Sequence, residues 1–466
     1  MSVASSPIGS YASVRLRGSV VDPAGGQSGL AEIVLDDGIV RSVSWLEGAD
    51  DGGLLIAPGF IDLHTHLREP GREDAETIAT GLAAAAHGGF TTVCAMPNTE
   101  PAADEPGVIG RVAAAAAASG SPVRVLTWGA TTAGRRSETL AAQGELADAG
   151  VAGFSDDGSP VRSASLLRNA LVYAGSLGLP IVEHAEDATL TAGAEMSEGY
   201  VATVLGLRGW PIAAEAGAVA TALAVLAEAV GDEPRARLHL THVSTAAALD
   251  LVRGAKARGL PVTCDVTPHH LALSDEWVAG ARRWAWDGVD ESGARRDPWS
   301  DGSLTGAPFD PSLRVNPPLR SPTDAMACLA ALADGTIDAI ATDHAPHTVV
   351  DKDVEFGLAA NGISGLETAF SLVLAAVDTG RLTLARAIEA LTVGPARVLG
   401  PRFVPKAPAI REGEPADLVI IDRSATWRVT VEALASKGKN TPLLGHELRG
   451  VVQTTIAGGR LAFERG

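Results

Sequence analysis

The sequence predicts an α/β fold, a (β/α)8 TIM barrel carrying a small β-sandwich built from both chain ends. Three observations predict it. From residue 54 to residue 396, short apolar runs alternate with Ala-rich stretches in roughly eight units, the signature of a parallel barrel. The chain starts and finishes differently, in strand-like runs separated by tight turns. Side chains able to do chemistry recur at the ends of the apolar runs, where a parallel barrel has its active face.

Residues 14–17, 31–35 and 39–43 read as strands, with a turn at Asp36-Asp37-Gly38. The barrel strands are the run into His64, then 91–96, 123–128, 151–155, 180–184, 238–243, 261–266 and 337–343. Helical stretches lie at 75–87, 105–118, 164–177, 213–230 and 246–258. Continuous apolar strands suit a parallel sheet covered by helices. Residues 277–311 break the rhythm, with Trp284, Trp286 and Trp299 among Arg, Asp and Gly. This reads as a long loop after the seventh strand, on the catalytic rim or at a subunit contact. Strands return at 416–422 and 451–456. The expected division is 1–55 and 401–466 for the two parts of the sandwich and 56–400 for the barrel.

The chain has 466 residues, of which 46% are hydrophobic and 20% charged, enough for one large domain and a smaller one. No apolar run is expected to reach the roughly 20 residues that span a bilayer. Residues 1–13 are small and polar, without the pattern of a signal peptide, and read as a frayed tail. A net charge of −19 and the lack of a Lys/Arg cluster argue against nucleic-acid and anionic-membrane partners. An anionic substrate would therefore need locally placed cations. Cys94, Cys264 and Cys328 are scattered, which fits a reducing cytoplasm; Cys94 and Cys264 read as core residues. No lysine precedes Lys256.

In Asp62-Leu63-His64-Thr65-His66 the two imidazoles project from one side of an extended strand, a pincer for a metal ion. The other strand ends offer Asn98, Asp156-Asp157, His184, His242 and Asp343. These are too many donors for one tetrahedral ion and suit two ions sharing a bridge. Arg68 lies two residues past His66 and offers a fork for a carboxylate.

The Asp-x-His-x-His run, the two later strand-end histidines and Asp343 resemble the amidohydrolase superfamily. More narrowly, His64-Thr65-His66-Leu67-Arg68-Glu69-Pro70-Gly71, Met96-Pro97-Asn98-Thr99-Glu100-Pro101, Phe154-Ser155-Asp156-Asp157-Gly158, Val315-Asn316-Pro317-Pro318-Leu319-Arg320 and Ala341-Thr342-Asp343-His344-Ala345-Pro346-His347, with Lys352 beyond, resemble class I dihydroorotase. The resemblance implies reversible cyclisation of N-carbamoyl-L-aspartate to L-dihydroorotate in pyrimidine biosynthesis. It implies two Zn2+ ions. His64, His66 and Asp343 would hold one, His184 and His242 the other, with Asp157 and a hydroxide between them. Many relatives use a carboxylated lysine as the bridge, and the missing lysine removes that option. Asp157 fits the bridging position, with Asp156 the alternative. Asp343 would be the general acid/base. Arg68, Asn98, Asn316, His347, Asn361 and Gly362 would contact substrate. His269, His270 and His344 are expected behind the site, and His87, His239 and His446 elsewhere in the structure. A homo-oligomer is expected, and aspartate carbamoyltransferase comes forward as a partner. Competing readings are an allantoinase- or hydantoinase-like enzyme, or a silent scaffold for that transferase. The Trp-rich span and the extra length between His184 and His242 depart from the family pattern.

Overall fold

The structure, a computed structural model, describes residues 13–48 and 53–466. The expected frayed tail lies, except for Ser13, outside the described residues. In chain order the strands are β1 (Val14–Asp22), β2 (Gln27–Asp36), β3 (Ile39–Trp45), β4 (Leu54–Pro58), β5 (Phe60–Thr65), β6 (Phe90–Ala95), β7 (Arg124–Thr127), β8 (Gly129–Ala130) and β9 (Phe154–Ser155). They continue with β10 (Ile181–Glu183), β11 (Met196–Ser197), β12 (Gly209–Trp210), β13 (Leu238–Leu240), β14 (Val262–Val266), β15 (Ala339–Ile340), β16 (Leu418–Arg428), β17 (Glu447–Ala457) and β18 (Arg460–Glu464).

Both chain ends enter one seven-stranded sheet, in the order β18-β17-β16-β4-β1-β2-β3. Hairpins make most of its pairs antiparallel, while β1 and β4 run parallel. Along β2, buried Ala31, Ile33 and Leu35 alternate with less buried neighbours, as a two-residue period requires. They pack with Val20, Val40, Ile56, Leu418 and Ile420 in a core separate from the main one. The ends therefore join as expected, but in one sheet rather than two. The strand that the sequence runs continuously into His64 is broken at Gly59: β4 belongs to the terminal sheet and β5 to the catalytic layer.

The rest is α/β with parallel sheets. β5-β6-β7 form one, and β15-β14-β13-β10-β9-β8 another. Trp128 sits between β7 and β8; its N–H donates to Ala95 O at 2.9 Å, and Gly129 N–H donates to Gly153 O at 3.0 Å. On the other side, Thr65 forms a parallel bridge with His344, just past β15. Helices start at or within three residues of the expected positions. Thr77, Ser163 and Thr245 each accept from the backbone N–H three residues on, capping Ile78–His87, Ala164–Ser176 and Ala246–Ala257.

One expectation is corrected. Helix Ile212–Asp232 has 21 residues and a mean hydropathy of 1.6, long and apolar enough by length and composition to cross a membrane. The helix gains this character because it is Ala-rich and packs between helices Ala164–Ser176 and Ala246–Ala257. Its buried Glu215 accepts from Ser244 N and Thr245 N, both at 3.0 Å, and pairs with buried Arg320 at 3.3 Å. The Trp-rich span does follow β14. Trp277 and Trp286 are buried, and Arg283 and Arg295 clamp onto buried Glu276 at 2.8 and 3.0 Å. The extra length before His242 holds the small β11–β12 pair, which the sequence did not suggest.

The two chain ends touch at Gly38, whose φ is +73°; a Cβ there would lie 2.1 Å from Gly459 O. Gly38→Val is expected to destabilise the protein by about 2 kcal/mol or more, read by urea unfolding. Unchanged stability would show that this contact does not hold the ends together.

Candidate active site

Strand alternation brings His64 and His66 together, with their Nε2 atoms 3.3 Å apart. Asp343 Oδ1 lies 3.3 Å from His64 Nε2 and 3.0 Å from His66 Nε2. Asp157 Oδ2 reaches the same two nitrogens at 3.4 and 3.6 Å. Its other oxygen, Oδ1, lies 3.4 Å from both His184 Nδ1 and His242 Nε2, which are 2.9 Å from each other. The ligand atoms of His64, His66 and Asp157 thus form one tight group, and those of Asp157, His184 and His242 a second. All six side chains are buried. So many lone pairs aimed at one another need positive charge between them, and mixed imidazole and carboxylate donors suit a divalent transition metal. The residues fit such an ion.

Burial opposes ionisation of Asp157 and Asp343, yet facing histidines hold both carboxyls below the usual range. Three residues here have left-handed backbones: Arg68, His242 and Asp343, with φ of 59°, 40° and 48°. Non-glycine residues adopt that region at a cost, and only firm surroundings keep them there.

Those surroundings were largely missed by sequence reasoning. Buried Asp62 accepts from His64 N and Thr342 N, both at 3.0 Å, and from Thr342 Oγ1, so one carboxylate joins β5 to the segment bearing Asp343. Burial pushes its pKa up to about 6 against those bonds. Asp265 accepts from His242 N at 2.6 Å and lies 2.8 Å from His239 Nε2 and 3.2 Å from Thr241 Oγ1. Thr241 Oγ1 in turn meets His64 Nδ1 at 2.7 Å. Glu186 Oε2 lies 2.9 Å from His184 Nε2. The available signals were modest: an Asp closing the run 261–266, and a Glu two residues past His184.

The neighbouring aspartates face different ways. Asp156 accepts from Thr131 N at 2.9 Å, from Thr132 N at 3.1 Å and from Thr132 Oγ1, outside both histidine groups. Asn98 is placed with its Oδ1 2.9 Å from His66 Nδ1. Arg68 donates from Nε to Pro346 O at 3.0 Å, and its Nη2 lies 3.2 Å from His347 Nε2. Among the described residues Arg68 makes no ion pair, although it is partly buried and burial lowers its pKa to about 10. His347 Nε2 also lies 2.8 Å from Asn361 O, while Gly362 N–H is spent on Arg314 O. Asn316 donates from Nδ2 to Glu186 Oε2 at 3.1 Å. Asn440, from the C-terminal stretch, accepts from His347 N at 2.8 Å and donates to Ala345 O and Gly362 O at 3.0 Å.

The remaining histidines lie around this centre. His344 faces Glu76 at 3.4 Å, and His270 joins Thr267 to Pro317 O. His269 Nε2 is buried without a partner. His239 is bound to Asp265, and His87 and His446 lie against Phe463 and Trp277. The three cysteines are buried and free.

A family model described as Dihydro-orotase-like matches residues 53–247. A dihydroorotase of Anaeromyxobacter dehalogenans strain 2CP-C is 48% identical over 456 residues, covering 96% of this chain and 97% of the relative. One of Geobacter metallireducens is 42% identical over 455 residues, covering 96% and 98%. Among solved structures, an L-hydantoinase from Arthrobacter aurescens has a TM-score of 0.76 at 25% identity, covering 96% of this chain and 95% of that one. A D-hydantoinase has a TM-score of 0.72 at 21% identity, covering 96% and 94%, a likeness of fold.

Two outcomes follow from the geometry. Asp157→Asn is expected to lose most bound divalent metal by elemental analysis, while Asp156→Asn keeps its metal; equal metal content in the two variants would contradict the shared-carboxylate arrangement. Burial, and then the Arg68 charge, lower the His347 pKa to about 3 from an ordinary 6.5. Below pH 6.5 the unfolded chain takes up a proton that the folded one refuses until about pH 3. His347 therefore contributes a stability loss across that window as pH falls. Urea unfolding at stepped pH should show a shallower decline in His347→Gln.

Proposed function

The chain belongs to the dihydroorotase family, and on that premise we propose that it is a class I dihydroorotase, a hydrolase that interconverts N-carbamoyl-L-aspartate and L-dihydroorotate in pyrimidine biosynthesis. One observation carries the substrate choice. Arg68 is a partly buried guanidinium without an ion-pair partner among the described residues, beside the two histidine groups. Buried charges are ordinarily paired, so an arginine left open in a pocket calls for an anionic ligand. Both forms of this substrate carry the carboxylate to match.

In this reading His64, His66 and Asp343 would hold one Zn2+, His184 and His242 would hold a second, and Asp157, which faces both groups, would serve both. Bound divalent ions lower the pKa of water and polarise a carbonyl. Asp343 moves the proton: in ring opening it takes one from the attacking water and delivers it to the leaving ring nitrogen, and in ring closure it works in reverse with loss of water. Arg68 binds the substrate carboxylate, with Asn98 and His347 beside it. Asn316 and the Asn361-Gly362 backbone complete the pocket. His347 acts as a neutral group, since its pKa lies far below neutrality.

The wider architecture supports the same reading. Eight successive parallel strands, linked at Trp128 and at the Thr65–His344 bridge, fit a closed (β/α)8 barrel over residues 56–400. The terminal sheet brings its β2–β3 and β17–β18 hairpins together at Gly38 and Gly459, which fits a sheet curled into a small sandwich from 1–55 and 401–466. The enzyme would work in the cytoplasm as a homo-oligomer, with aspartate carbamoyltransferase as a candidate partner. The fold also matches hydantoinases, but 48% identity to a dihydroorotase and the open Arg68 favour the carboxylated ring.

A direct assay decides between them. Wild type should open dihydroorotate and leave hydantoin and allantoin intact, and Arg68→Ala should raise KM for dihydroorotate about 100-fold, the loss of one desolvated charge pair. A wild type that opens hydantoin or allantoin and ignores dihydroorotate overturns the assignment.

A further inference from the structure

Glu186 stands between two residues with different duties. Its Oε2 lies 2.9 Å from His184 Nε2 and accepts from Asn316 Nδ2 at 3.1 Å, while Oε1 accepts from Thr191 Oγ1. Three potential donors converge on this one carboxyl, and a glutamate is ordinarily ionised at neutral pH. An ionised carboxylate can only accept. Each group facing it must therefore be a donor.

For His184 this means a proton on Nε2, which leaves Nδ1 as a bare lone pair. Nδ1 is the atom 3.4 Å from Asp157 and 2.9 Å from His242. For Asn316 it means the NH2 group turned to Glu186, which leaves Oδ1 as the free end. That Oδ1 is buried and has no hydrogen-bond partner among the described residues. Asn316 lines one pocket with His184, His242 and Arg320. An orphaned buried acceptor is destabilising unless a ligand supplies a donor.

We propose that Glu186 is a positioning residue that sets the hydrogen-bond polarity of this wall, holding His184 as an Nδ1 ligand and Asn316 as an acceptor for an N–H of the substrate. This deepens the dihydroorotase reading and rests on it. Arg68 then recognises the anionic end of the substrate, and Asn316 Oδ1 recognises a ring N–H in dihydroorotate or a ureido N–H in the open form. A ligand bearing only acceptors at that place would meet oxygen with oxygen.

The test is a double-mutant cycle on Glu186→Ala and Asn316→Ala, with calorimetric Zn2+ titration of the metal-free proteins alongside. Each single variant should raise KM for dihydroorotate about tenfold, the loss of one hydrogen bond. The double variant should be no worse than Glu186→Ala, because both changes remove the same contact. Glu186→Gln, which can still turn one oxygen to both donors, should recover most of the KM. Glu186→Ala should also weaken Zn2+ binding 10- to 100-fold, while Asn316→Ala leaves it unchanged. Among dihydroorotate analogues methylated at one ring nitrogen or the other, one should be rejected by wild type and tolerated relative to the parent by Asn316→Ala. Multiplicative KM effects, or Zn2+ binding indifferent to Glu186→Ala, overturn the proposal. A wild type inactive on dihydroorotate instead removes the functional reading beneath it, and the Zn2+ titration still reports on His184.

Discussion

Asp157 has two oxygens, and a different pair of histidines faces each. Everything else in the centre follows from that division. The carboxylate sits just past β9, one histidine pair at the end of β5, and the other at the ends of β10 and β13. Four parts of the chain, separated by up to 178 residues between His64 and His242, must arrive within a few ångströms. Parallel strands with short connections at their carboxyl ends do this naturally, because every strand delivers its last residues to the same face. Misplacing one strand by a single residue would turn its ligand to the opposite side.

Such crowding needs support from behind. Asp62, Asp265 and Glu186 each bind a backbone N–H or the far nitrogen of a histidine of this centre. They therefore fix tautomer and direction rather than touching the shared centre. The left-handed backbones at His242 and Asp343 sit beside two of them: Asp265 takes the N–H of His242, and Asp62 takes that of Thr342 next to Asp343. Residues in that conformation aim side chains where a regular strand end cannot, and the buried carboxylates offset the cost.

Much of this was legible in the sequence. The alternation of strand and helix follows from local periodicity, and the caps at Thr77, Ser163 and Thr245 set the starts that periodicity placed only to within three residues. The ligand types at strand ends were also readable, because a parallel barrel makes position along a strand equivalent to position in space. What was not readable depended on direction. Asp156 and Asp157 are adjacent and chemically identical, and only the fold shows that the first turns to Thr131 and Thr132. The apolar character of Ile212–Asp232 misleads in the same way, since alanine serves helix–helix packing as well as lipid. The break at Gly59 was hidden because two buried strands in succession read as one apolar run. Asp265 and Glu186 carried no motif strong enough to separate a buried hydrogen-bonding acid from an ordinary polar cap.

Asn440 gives the terminal sheet's neighbourhood a second duty. It holds the backbone of His347 and of the segments at Ala345 and Gly362, although it lies 93 residues beyond His347 in the sequence. β4, which leads directly into the His64 strand, is paired on one side by β16 from the same late stretch. The late stretch therefore works as a clasp on two sides of the centre, bracing the strand before His64 and the loop after Asp343. Removing it would leave His64, His66, Asp157, His184, His242 and Asp343 in the chain and take away the contacts that align the loops beside them.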